Sequence, residues 1–412
     1  YHGGYVWSGE EALQQARYGH PDVVLVGPSL PDMDPLACAT AIRSDPACTD
    51  VPIFLMVEAE TSEILRKAVD VGVDDIIAVP FDDLALLSRL RPLVRLATMH
   101  AELRHRARDA SEFGLSVKET LPRPTLTHGH SLLVAGRNME DAKAILGNEA
   151  DIVSTTNFYE AQEILSRRNF DAALIGHFSE NTEHLDLCTE IRNNPRLFNL
   201  PVILVEPEGS ALDVAEAYRR GASRIMYRPL DAAVVSSAVL ILVRRQRLRW
   251  DIRGALLETL KDGSRDTLTG IYNRPFLETH LTHRIDTARK QYRHLTVVFF
   301  RIPNVDAVRE HFGDKPADHL LLQLGQWITG LLRVEDLTAR WEKNEFCVVL
   351  PDSPIDEAEV VMHRIAGVIS YTDFAVHDVY QPIKVWVQVG AADFQEEDTT
   401  ESIIARARAA IS

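Results

Sequence analysis

Short aliphatic runs alternate with amphipathic stretches along most of the chain. "DVVLVG" (Asp22–Gly27), "VPIFLMV" (Val51–Val57) and "DDIIAV" (Asp74–Val79) are bounded by polar segments of helical period. Near-continuous apolar runs of this kind suit strands covered on both faces of a parallel sheet. The same order returns later as "DAALIG" (Asp171–Gly176), "PVILVE" (Pro201–Glu206) and "SRIMYR" (Ser223–Arg228). Asp22 and Asp171, Gly27 and Gly176, Pro52 and Pro201, Gly72 and Gly221, and Pro80 and Pro229 are each 149 positions apart. An ungapped offset over about 60 residues marks a duplicated domain. The alternation implies an open, doubly wound α/β fold, in which ligands sit at the carboxyl ends of the strands. Gly27, Gly176, Val57, Glu206, Val79 and Arg228 occupy those ends.

Beyond the repeat the pattern changes. "KETLPRPTLTHGHS" (Lys118–Ser131) reads as a linker. Ala232–Lys261 is one long helical pattern, and "KDGSRD" breaks it. A third unit starts at Asp266 and includes "RWEKNEFCVVLP" (Arg340–Pro351), a strand, a sharp hairpin and a second strand. Glycine is expected in that turn, yet it holds Glu342, Lys343 and Asn344. The expected boundaries are a first α/β domain over 1–117, a linker over 118–130, a second α/β domain over 131–247, a helical linker over 248–265 and a last domain over 266–412. The first domain is expected to lack its opening strand and helix, which would precede residue 1.

Length and charge narrow the classes. A chain of 412 residues holds about three domains. Charged residues at 25% and hydrophobic ones at 46% suit a soluble globular protein. A net charge of -16 argues against a non-specific nucleic-acid binder or a binder of anionic membranes. The four cysteines are dispersed without a CxxC pair, so neither disulfides nor a zinc site is expected, and a reducing cytoplasm fits. The best apolar run, Ala232–Val243, has 12 residues against the ~20 a spanning helix needs.

"PDVVLVGPSLPDMDP" and "GVDDIIAVPFD" resemble the third- and fifth-strand stretches of bacterial response-regulator receiver domains. The resemblance implies two CheY-like doubly wound domains. Receivers accept a phosphoryl group on an aspartate that here is Gly27 in one copy and Gly176 in the other. No phosphoacceptor is therefore expected. Val57 and Glu206 stand at the family's Thr/Ser position, and Val79 and Arg228 at its lysine. Gly136 and Arg137 replace the acidic pair of the second copy. Asp32 and Asp34 are alternative acceptors, against the simpler reading that they are solvated loop carboxylates.

"DTLTGIYNRPFL" is similar to the opening signature of GGDEF domains, the diguanylate cyclases, at Asp266, Leu268, Thr269, Gly270, Asn273 and Arg274. The resemblance implies an α/β domain with a central antiparallel or mixed sheet. It aligns Glu342, Lys343 and Asn344 with the first three signature residues, while Glu345 and Phe346 match. Arg301 stands where the family carries a metal-binding aspartate, and Asn344 where it carries a second ligand. A guanidinium repels a divalent cation, so neither metal binding nor catalysis is expected. Asp318 matches a guanine-pairing residue, and Arg309 takes its partner's place.

The family's inhibitory product site has the pattern Arg-x-x-Asp, five residues before the turn. "RVED" (Arg333–Asp336) holds that register, and Arg364 aligns with a secondary arginine. The pattern alone is weak, since it also occurs at Arg106, Arg168 and Arg228. The competing reading is a helix-end salt bridge worth about 0.5 kcal/mol. Together the resemblances imply a non-catalytic, homodimeric cyclic di-GMP receptor without cofactor. Its expected place is the cytoplasm at the cell pole, where it would bring substrates to the ClpXP protease in cell-cycle control. A weak cyclase and a nucleotide-independent dimerisation scaffold are the alternatives.

Overall fold

The computed structural model describes residues 3–122, 124, 129–179, 182–194, 196–261 and 263–412. The expected linker at 118–130 lies partly outside the described residues. Among those described, no helix is long and apolar enough to cross a membrane.

The first copy runs α1 (Gly9–Gly19), β1 (Val24–Val26), α2 (Pro35–Ser44), β2 (Ile53–Val57), α3 (Ser62–Val71), β3 (Asp75–Ala78) and α4 (Asp83–Glu112). Its three strands form a parallel sheet in the order β1-β2-β3. Side-chain caps start the helices: Ser8 accepts from Glu11 N–H and Thr61 from Ile64 N–H. The second copy runs β4 (His130–Ala135), α5 (Glu140–Leu146), β5 (Ala150–Thr155), α6 (Phe158–Arg167), β6 (Ala172–Ile175), α7 (Glu183–Asn193), β7 (Val202–Glu206), α8 (Val214–Arg219), β8 (Arg224–Tyr227) and α9 (Ala232–Glu258). Its parallel order, β5-β4-β6-β7-β8, is that of a flavodoxin-like doubly wound sheet. β2 and β7, β3 and β8, and the starts of α4 and α9 keep the 149-residue offset. Both copies also have a cis peptide at the equivalent place, Val79–Pro80 and Arg228–Pro229.

The last region runs α10 (Arg274–Gln291), β9 (Leu295–Arg301), α11 (Asn304–Phe312), α12 (Asp314–Leu331), β10 (Leu337–Glu342), β11 (Glu345–Pro351), α13 (Ile355–Tyr371), β12 (Gln388–Asp393) and α14 (Thr400–Ala409). Its sheet has the order β10-β11-β9-β12, and all three ladders are antiparallel. The mixed alternative reduces to an isolated parallel bridge between Tyr272 and Ala339. β11 alternates between two cores. Phe346, Val348 and Leu350 join α12 and α13, whereas Cys347 and Val349 join α10 and α14. A sheet covered on both faces has no polar side, which is why β11 is buried throughout.

The chain divides into two compact units, 1–97 with 121–251 and 98–120 with 252–412. The first unit thus holds both α/β copies. Both crossings between units that fall inside a helix, in α4 and in α9, are internal to long continuous elements. The sequence assigns α4 wholly to the first copy. Its second half instead belongs to the last unit, because Ala110 enters the core beside Phe276 and Phe113 packs on the Phe276 ring.

Candidate functional site

The opening signature of the last region works as a start device. Asp266 Oδ1 accepts from Thr269 N–H at 2.8 Å and from its hydroxyl at 2.6 Å. Gly270 turns at φ 75°, and Asn273 caps α10 by accepting from Phe276 N–H. Arg274 lies 4.0 Å over the Trp341 ring.

At the hairpin, Glu342 pairs with Glu345 and only Lys343 and Asn344 form the tip. Neither tip residue is among the positive-φ residues. The backbone therefore makes this turn without glycine, contrary to the expectation from the sequence. Arg301 Nε donates to Glu345 Oε1 at 2.7 Å, and Arg408 Nη2 lies 3.0 Å from Glu345 Oε2. Arg408 also holds Glu342 at 3.0 Å. Glu345 is buried, so two guanidiniums neutralise the carboxylate that matches the signature. Asn344 makes a long contact of 3.4 Å to Asp306. Asp318 is likewise taken, at 3.0 Å, by Arg309, which also holds Asp314. The sequence identified Arg301; Arg408, 107 positions away in α14, carries no motif and was not anticipated.

The Arg333–Asp336 turn lies at the other end of β10. The Arg333 side chain is exposed, and its backbone N–H donates to Asp336 Oδ2 at 2.8 Å. Asp336 is buried. Burial first, and Glu335 next, push its carboxyl up to about 7, against the opposing pull of the Arg333 backbone bond and the Arg333 and Arg106 charges. Arg364 is exposed and donates to the Leu331 carbonyl at 3.2 Å, two residues before Arg333. Among the described residues, neither Arg333 nor Arg364 has a carboxylate partner.

Beneath this turn lies the part of α4 that belongs to the same unit. Arg106 donates to the Glu335 carbonyl at 2.7 Å and to Glu102 at 2.6 Å. Asp109 accepts from His280 and His283, each at 2.6 Å. Burial opposes charge on Glu102, but His280, Arg106 and Arg284 hold its carboxyl well below the usual range. Within the "RARD" run, a helical charge run by sequence, Arg106 is thus a buried prop for the "RVED" turn, while Arg108 is exposed.

In the α/β copies, Gly27 leaves room, with the nearest atom to an added Cβ at 3.8 Å. At Gly176 an added Cβ would lie 2.7 Å from the Met139 sulfur. Gly136, at φ 120°, approaches the Gly176 carbonyl so closely that a Cβ would sit 2.6 Å from it. Asp32 accepts from the N–H groups of Gly9 and Glu10, and those bonds lower its pKa. Asp34 caps α2. Both alternative acceptors are therefore engaged as helix caps. Arg228 pairs with Asp141.

Residues 264–412 match the diguanylate cyclase, GGDEF domain family, and residues 4–91 match the response regulator receiver domain family. The chain carries a receiver domain and a GGDEF domain. It is 25% identical over 404 residues to the response regulator PleD of Caulobacter vibrioides strain NA1000 / CB15N, covering 97% of this chain and 88% of that one. It is 28% identical over 102 residues to the probable diguanylate cyclase DgcC of Escherichia coli K12, covering 25% of this chain and 28% of that one. The solved GGDEF domain of DgcB from Caulobacter crescentus in complex with c-di-GMP is 17% identical, covering 36% of this chain and 88% of that one, with a TM-score of 0.35.

Phosphoryl transfer in a cyclase needs divalent metal held by carboxylates. In this GGDEF domain Arg301 and Arg408 stand on Glu345, and Asn344 offers only a neutral oxygen. These residues do not fit a divalent ion.

Proposed function

We propose that this chain is a non-catalytic receptor for cyclic di-GMP that recruits a protein partner when the nucleotide is bound. The observation that carries this reading is the contrast in available charge. The carboxylates of the GGDEF hairpin are consumed by the chain's own arginines, while Arg333 and Arg364 remain exposed without ion-pair partners among the described residues. A ligand with two phosphates and two guanines suits free guanidiniums, which can pair with phosphate, stack on a base or bond guanine O6 and N7. In this reading Arg333, Asp336 and Arg364 form the site, the hairpin is a degenerate centre and the second α/β copy is a receiver that has lost its acceptor at Gly176.

The finer assignment is to a PopA-type protein, a non-catalytic relative of PleD. On that resemblance rest the homodimer, the polar position in the cytoplasm and the delivery of substrates to ClpXP. The scaffold reading has one observation in its favour: Asp336 is buried and already bonded to Arg333 N–H. Calorimetry with cyclic di-GMP decides between them. Stoichiometric binding supports the receptor, and no heat at saturating protein supports the scaffold. A pull-down from cell extract with and without ligand then tests recruitment; identical partners in both conditions mean that the nucleotide is no switch.

A further inference from the structure

At the carboxyl end of the second sheet, three side chains converge that the preceding reading does not use. His177 follows β6 and Gly176, His184 lies in the first turn of α7, and Glu206 ends β7. His177 Nε2 is 2.9 Å from Glu206 Oε2, and His184 Nε2 is 3.4 Å from Glu206 Oε1. One donor atom from each of the three lies within 4.8 Å of the others. The two imidazole rings are 4.0 Å apart between centroids.

We propose that His177, His184 and Glu206 form a binding site for a divalent transition-metal ion of the zinc class, at the end of the sheet where an intact receiver would be phosphorylated. Three arguments converge. First, the donor set suits the metal: two imidazoles and one carboxylate, with a position left for water, is a recurrent zinc arrangement and a poor one for magnesium. Second, the spacing suits it, because tetrahedral bonds of about 2.0–2.2 Å place donors roughly 3.3 Å apart. Third, the hydrogen bonds are incomplete. His184 is 3% exposed, yet neither ring nitrogen makes a hydrogen bond, and Glu206 Oε1 also lacks one. Buried polar atoms are normally satisfied, and these lie beside the donor atoms of the other residues of the set. Glu206 is 0% exposed. Ser210 donates to Glu206 Oε2 at 2.8 Å, the kind of outer contact that orients a ligating carboxylate. The ion would tie β6, α7 and β7 together.

The test uses the full chain, tag-free and stripped with chelator, titrated with Co2+ and followed by visible absorption. One Co2+ per chain with a ligand-field band, displaced by Zn2+ and not by millimolar Mg2+, is expected. Outer contacts of a metal site already account for about 10–100-fold in affinity. His177→Ala, which removes a ligand that is one-third exposed, should therefore weaken binding by about 100-fold or more. Glu206→Gln should do the same, and far-UV dichroism of the metal-free variants checks their fold. Absence of stoichiometric cobalt, or equal affinity in wild type and a folded His177→Ala, overturns the site.

Discussion

Strand β10 has a different electrostatic situation at each end. At the hairpin end, carboxylates meet guanidiniums of the same chain: Glu345 with Arg301 and Arg408, and Glu342 with Arg408. At the turn end, Arg333 and Arg364 face solvent and bond no carboxylate among the described residues, while the acids of the turn, Glu335 and Asp336, are buried. A site for a metal–nucleotide needs free carboxylates, whereas a site for a dinucleotide needs free cations. Within one strand's length, the hairpin carboxylates are paired with arginines of the chain and the exposed arginines of the turn are not. On the proposed reading, the ligand that such a domain binds depends on which of its charges are satisfied internally.

The largest expected effect is at the hairpin. With GTP and magnesium or manganese, long incubation at high protein concentration should yield no cyclic di-GMP by chromatography. A product peak that disappears with the GGDEF domain deleted would remove one side of the comparison.

At the turn end, Arg333→Ala should weaken cyclic di-GMP binding by about ten- to over a hundredfold in calorimetry. That is the roughly 1.5–3 kcal/mol of a hydrogen bond to a charged group. Arg364→Ala should lose less, about threefold to tenfold, since its guanidinium is partly committed to the Leu331 carbonyl. Unchanged affinity in both variants would show that the exposed arginines are not the site.

A smaller effect separates the two ends by stability. Arg301→Ala should destabilise the last unit by about 1–2 kcal/mol in urea unfolding. Removing one partner of a buried pair costs about 3–5 kcal/mol, but Arg301 is one-third exposed and Arg408 remains on Glu345. Arg333→Ala, lacking a partner, should unfold like wild type. Equal losses would mean that the charges at the two ends are equivalent.

A pH dependence of stability is also expected from the turn. The folded-state pKa of Asp336 is pushed up to about 7, above the ordinary 3.8. The folded state therefore holds the proton more tightly than the unfolded one. The resulting stabilisation is complete below the ordinary value and is lost as pH rises through about 7. Denaturation midpoints of wild type should fall relative to Asp336→Asn between pH 5 and pH 8. Parallel midpoints across that range would place Asp336 in a more polar setting than the structure gives it.

The sequence determined what is local or strictly periodic. The aliphatic runs located the parallel strands, because a strand covered on both faces must be apolar throughout, although Leu25 leaves one face of β1 exposed. The 149-residue offset revealed the duplication, because strands, helix starts and cis prolines recur in one register. Arg301, Asn344, Gly27 and Gly176 could be singled out from the sequence because each puts an unexpected residue type at a motif position, and what they mean for chemistry belongs to the proposed reading. The need for glycine in the hairpin was misjudged from the sequence, since the turn's dihedrals emerge only once both strands are paired. Only the tertiary structure decided that the second half of α4 joins the last unit, that Arg106 props the "RVED" turn and that Asp336 is buried. The same holds for Arg408 reaching Glu345 and for His184 joining His177 and Glu206. Each of these unites residues distant in sequence, or a residue whose burial depends on them. Their charges carry no period and no spacing, so folding alone brings them within reach of one another.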